Sequence, residues 1–140
     1  MIARATVVDE ARSWIGTRWV HQGRSRDGID CAGLIVMVCR ALTISDYDAV
    51  SGYPRDPDGS FMQHFFALGG KRIPILTALP GDIMLFRDSI FACHCGFVAD
   101  KDGAPSIVHA FTSRRKVLEE PLIGEFRDKW VATFALPGVG

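Results

Sequence analysis

The sequence predicts an α+β fold in which helices come first and an antiparallel sheet follows. Three observations carry this expectation. Apolar residues in the first half recur at helical spacing, beginning with Val7, Val8, Ala11, Trp14 and Ile15. Residues 31–42 form an apolar run directly behind an aspartate, which reads as a capped, buried helix. After Pro80-Gly81 the pattern changes to short segments suited to strands, separated by turn formers.

Taken in order, residues 5–15 form a first helix, with Gly16 as its stop. Residues 17–29, punctuated by Gly23, Asp27 and Gly28, read as a loop. The run 31–42 contains β-branched Ile35, Val36 and Val38 and would also suit a strand, but its length and the Asp30 cap favour a helix. A proline- and aspartate-rich loop is expected over 51–59. Ser60 and Gln63 then make a capping-box pair for a helix that carries Phe61, Phe65 and Leu68 on one face and ends at Gly69-Gly70. Strands follow over 82–87, 90–99, 106–111 and 116–119, then a short helix over 123–130 and a closing strand over 131–136.

The bulk composition narrows the function classes. A chain of 140 residues supports one domain, spanning 1–140, with a core of its own. Lys and Arg number 16 and Asp and Glu 16, so no basic excess points to nucleic acid or to an anionic membrane surface. The longest apolar run, residues 34–39, is far short of the roughly 20 residues that span a bilayer. No uninterrupted apolar segment follows Met1, so the expectation is synthesis in the cytoplasm without a secretory signal. On that footing the cysteines at 31, 39, 93 and 95 are expected as free thiols.

Cys31 is the candidate nucleophile. A thiol in the first turn of a helix faces the positive end of the macrodipole and unpaired backbone amides, which stabilise both a thiolate and a developing oxyanion. Cys39, deep in the apolar run, reads as a small core hydrophobe. On the strand 90–99, side chains alternate, so His94 shares a face with Gly96 and Val98 while Cys93, Cys95 and Phe97 face away into the core. If residues 100–103 form a four-residue turn and Ala99 pairs with Ala104, His94 and His109 become direct cross-strand neighbours, with Cβ atoms about 5 Å apart. That arrangement suits a base, His94, and a residue that orients it, His109. His64 reads as a packed histidine, and His21 lies in the loop leading to the nucleophile.

These residues resemble a known family. Asp30-Cys31-Ala32-Gly33-Leu34, Pro80-Gly81-Asp82-Ile83-Met84-Leu85-Phe86, His94-Cys95-Gly96-Phe97 and Val108-His109-Ala110 are similar, in that order, to the motifs of the NlpC/p60 cysteine peptidases. The segment 16–23 is similar to the stretch before the nucleophile in the branch of phage cell-wall peptidases. The resemblance implies a papain-like fold, with the nucleophile helix packed on the sheet. It also implies hydrolysis within peptidoglycan stem peptides, commonly between γ-D-glutamate and a diamino acid. By position, Cys31 falls on the nucleophile, His94 on the base and His109 on the polar third residue; Asp30 falls on an acidic residue that binds substrate amine. Trp19 stands where relatives carry a tyrosine near the reaction centre, and Ala32 where they carry a serine. Trp19, His21 and Asp30 are therefore the expected substrate-binding residues. The phage branch implies a phage tail or gene-transfer particle as partner and the bacterial wall as the place of action.

Three other readings compete. A cysteine amidase or acyltransferase of the same superfamily would use the same residues. A structural tail protein would keep them as relics. A zinc module could draw on Cys31, Cys93, His94, Cys95 and His109, but strand alternation turns Cys93 and Cys95 away from His94. No metal or other cofactor is expected.

Overall fold

The computed structural model describes residues 1–48, 60–87 and 92–140. The expected loop over 51–59 and the first two residues of the expected strand over 90–99 lie outside the described residues. Helix α1 spans Arg4–Arg12 and buries Val7, Val8 and Ala11. The segment expected as a plain loop contains a small antiparallel hairpin, β1 (Arg24–Ser25) and β2 (Gly28–Ile29). Helix α2 is Cys31–Ala41, and α3 is Ser60–Ala67. The latter begins at Ser60 itself, one residue earlier than a cap at that position would allow.

The later strands are β3 (Lys71–Ile73), β4 (Ile83–Arg87), β5 (Ala92–Lys101), β6 (Ala104–Phe111) and β7 (Lys116–Pro121). A short helix, α4 (Glu125–Asp128), precedes the last strand, β8 (Trp130–Ala135). Among the described residues these six strands form one antiparallel sheet in the order β3-β8-β4-β5-β6-β7. The expected α+β architecture, a nucleophile helix packed on an antiparallel sheet, is the one observed.

The sheet divides two apolar layers. On one face Ile83, Leu85, Cys95, Phe97, Val108, Ala110 and Phe134 meet the buried sides of α1, α2 and α3. On the other, Met84, Phe86, Val98 and Ile107 are covered by Leu122, Phe126 and Trp130. Helix α2 lies in the thicker layer, with eight of its 11 residues buried, which is why its sequence is apolar all round. Burial at that density overrides the strand preference of its β-branched residues.

The β5–β6 hairpin corrects the expected register. Lys101 pairs with Ala104, and the turn has two residues, Asp102 and Gly103, both at positive φ (55° and 80°). Asp-Gly favours this tight turn because its twist matches that of the strands. The pairing is therefore displaced by two residues from Ala99–Ala104. A displacement of two preserves which face each side chain occupies. His94 and His109 remain on one face, as diagonal rather than direct neighbours.

Candidate active site

Asp30 is the N-cap of α2, in extended conformation, and its Oδ1 accepts a hydrogen bond from the Gly33 N–H at 2.8 Å. The same carboxylate accepts from the Gln22 N–H through Oδ2 at 2.7 Å and from Arg24 Nη1 at 3.1 Å. Arg24 also pairs with Asp48 at 3.0 Å. Asp30 thus ties the segment before the nucleophile to the start of the helix while only 3% exposed. The fit is close: a Cβ at Gly33 would lie 2.4 Å from the Gly23 carbonyl oxygen. Trp19 and His21, both half-buried, stack on each other with ring centroids 6.4 Å apart, on the segment that Asp30 fastens.

Cys31 opens the helix with 8% of its surface exposed. The side chains of both Cys95 and His94 lower the proton affinity of its thiol. Cys95 lies on the helix-bearing face of the sheet, in the same apolar cluster as Cys31, whereas strand alternation turns His94 to the other face. Register-paired residues of β5 and β6 run from Lys101↔Ala104 to Phe97↔Val108. On the other side of β5, a bulge where Phe86 pairs with His94 and Arg87 with Ala92 bends the strand beside His94.

Beyond Cys31 the polar groups form a chain. His94 Nε2 lies 2.7 Å from His109 Nδ1, and His109 Nε2 lies 2.7 Å from Glu120 Oε2. Arg114 Nε donates to Glu120 Oε1 at 3.1 Å. Phe86, Phe111 and Phe126 surround the two imidazoles, with Phe111 stacked on His109 at 5.0 Å. His109 is fully buried.

The electrostatics follow from these contacts. The Cys31 thiol is brought down to about 6, chiefly by the hydrogen bond from Cys95; burial opposes this, and His94 adds to it. Burial lowers the His94 imidazole, against the raising effect of Cys31. His109 is lowered to about 3 by burial and by the charge of Arg114, so its contact with Glu120 is a neutral imidazole donating to a carboxylate. Cys95 is raised well above the ordinary thiol value, first by burial, and stays a thiol donor.

The structure thus brings Cys31, His94 and His109 together. Cys95, expected as core packing, lies in the core and also lowers the Cys31 thiol. Glu120 and Arg114 had been missed. Glu120 sits just past the expected end of a strand at 119, and the signal was its place beside the His109 strand. Cys39 is a buried thiol raised to about 12 by burial, and His64 is buried edge-on against Tyr47 and Phe65. Among the described residues no group of three His, Cys, Asp or Glu side chains is arranged to hold a metal ion.

No family model matches the sequence, and no curated protein sequence matches it. Solved structures do match. The chain is similar to the NlpC/p60 domain of the peptidoglycan hydrolase SagA, with a TM-score of 0.66 at 18% identity over 95% of this chain and 98% of that one. It is similar to an NlpC/p60 family protein from Bacillus cereus, with a TM-score of 0.71 at 18% identity over 95% of this chain and 40% of that one. An N-acetylmuramoyl-L-alanine amidase from Bacteroides uniformis aligns over 94% of this chain and 96% of its own, with a TM-score of 0.61 at 12% identity. The fold is the papain-like α+β fold of NlpC/p60 domains.

Proposed function

We propose that this chain is a cysteine peptidase that hydrolyses peptide bonds in bacterial peptidoglycan stem peptides through Cys31, His94 and His109. The observation that carries the reading is the His94–His109 hydrogen bond together with a cysteine at the start of a capped helix whose thiol His94 lowers. In this mechanism the Cys31 thiolate attacks the scissile carbonyl carbon. The developing oxyanion is received by backbone amides at the start of α2, where Gly33 N and Leu34 N are already engaged by Asp30 and those of Cys31 and Ala32 remain. His94 then delivers its proton to the leaving amine, forming a thioester. Water, deprotonated by His94, attacks the thioester and frees Cys31.

The substrate class is supported by the fold, which this chain shares with proteins named as peptidoglycan hydrolases. The finer reading follows the motif resemblance: cleavage between γ-D-glutamate and a diamino acid, in the manner of the phage cell-wall branch. A phage tail or gene-transfer particle would then carry the protein from the cytoplasm where it is made to the wall. Trp19 and His21 are proposed to contact substrate. Asp30 acts on substrate through the segment it anchors, because its carboxylate already accepts from Gln22, Arg24 and Gly33.

Mass spectrometry of muropeptides treated with the unmutated protein and with Cys31→Ala tests this. The expected result is stem-peptide fragments with the first and none with the second. Release of whole stem peptides from the sugar would mean amidase chemistry instead. Muropeptides from several wall types left intact by the unmutated protein would overturn the peptidase reading in favour of a structural role.

A further inference from the structure

We infer that Glu120 is a positioning residue that fixes where the protons sit on both histidines, and so decides whether the His94 nitrogen that faces Cys31 carries a lone pair. This rests on the proposed roles of Cys31 and His94. A carboxylate only accepts hydrogen bonds, so His109 Nε2, 2.7 Å from Glu120 Oε2, must carry a proton. His109 is neutral at working pH, so its Nδ1 carries a lone pair. His94 Nε2, 2.7 Å from that lone pair, must then be the donor. With its proton on Nε2, neutral His94 has its lone pair on Nδ1, the nitrogen left to meet the thiol. Each assignment follows from the one before it, and the first is set by Glu120.

Losing the carboxylate frees the chain to reverse. A His109 carrying its proton on Nδ1 presents a donor to His94 Nε2, which must then accept; the His94 proton moves to Nδ1 and the base is disarmed. Protonating His109 on both nitrogens does the same. Arg114, bonded to the other oxygen of Glu120, works against that outcome by lowering the affinity of His109 for a second proton. The placement is geometric: His109 pairs with Leu118 across β6 and β7, so Glu120, two residues on, lies on the same face as the imidazole.

Long-range proton–nitrogen correlation spectra of the histidine-labelled protein at pH 8 read the tautomers directly. The expected result is Nε2-protonated rings at both His94 and His109. A proton on Nδ1 of His109 overturns the inference without any variant. In Glu120→Gln, whose amide can turn to donate, the His109 signal should shift towards the other tautomer. The kcat on muropeptides should then fall on the order of 100-fold, with KM little changed and the fold intact by circular dichroism. Glu120→Asp should recover part of the loss. Unchanged tautomers in a folded Glu120→Gln protein would reject the inference. If the unmutated protein cleaves no muropeptide, the peptidase reading fails, while the spectra still decide the role of Glu120.

Discussion

A Cβ placed on Gly96 would lie 2.8 Å from the Cβ of His109 and 2.8 Å from Ile107 Cδ1. The glycine is what lets His109 lie flat across β5 and reach His94. Gly96→Ala should therefore cost about 1–3 kcal/mol through overpacking and should lower activity by displacing His109. Urea unfolding together with muropeptide turnover checks both; an active, equally stable variant would show that the strand can yield at that point.

Thiolate formation at Cys31 should be half complete near pH 6, read as the pH dependence of its alkylation rate. The reaction should be slow below that pH and level off above it, because the thiolate is the reactive form. Cys95 supplies the largest single lowering influence, so Cys95→Val should move the midpoint upward, as His94→Ala should. A midpoint unmoved in Cys95→Val would mean that the second sulfur does not donate to the first.

The fold should weaken in acid because of His109. Its imidazole titrates at about 3 in the folded protein against an ordinary 6.5. An unfolded chain takes up that proton first, so the stability due to burying a neutral ring is complete above pH 6.5 and drains away as pH falls towards 3. The loss amounts to a few kcal/mol, on the order of 1.4 per unit. Burial lowers His64 and His94 as well, with the same sign. Urea midpoints of the unmutated protein should drop between pH 7 and pH 4.5, and those of His109→Asn should drop distinctly less; parallel declines would contradict the assignment.

Asp30 should matter for stability as well as for activity. Asp30→Ala removes a helix cap and one of the carboxylates paired with Arg24, a change worth about 2–3 kcal/mol. Asp30→Asn keeps an oxygen for the Gly33 amide and should lose less. Equal unfolding midpoints for the two variants would mean that the charge, and not the cap, holds the segment in place.

The periodic elements could be read from the chain because burial leaves a pattern. The apolar run of α2 and its aspartate cap located the nucleophile, and strand alternation put both histidines on one face. The hairpin register could not be read the same way. Residues 100–103 are compatible with a four-residue or a two-residue turn, and Asp102-Gly103 takes the tighter one because both residues tolerate positive φ. The error left the histidine pair intact only because the displacement was two residues. Cys95 shows the limit of alternation as a guide: it points into the core as expected, and that core layer also holds Cys31, whose thiol it lowers. Glu120 and Arg114 escaped because nothing local marks them; their significance comes from a strand and a turn brought beside His109 by the sheet.

The early end of the β5–β6 register changes which neighbour holds the strand: residues 97–101 pair with β6, whereas 94–96 keep their pairing with β4. Amides of 94–96 that point towards β6 should therefore exchange with deuterium by local opening ahead of those inside the hairpin. A bound peptide could be accommodated on that side by small backbone movements that the tight turn at the opposite end never feels.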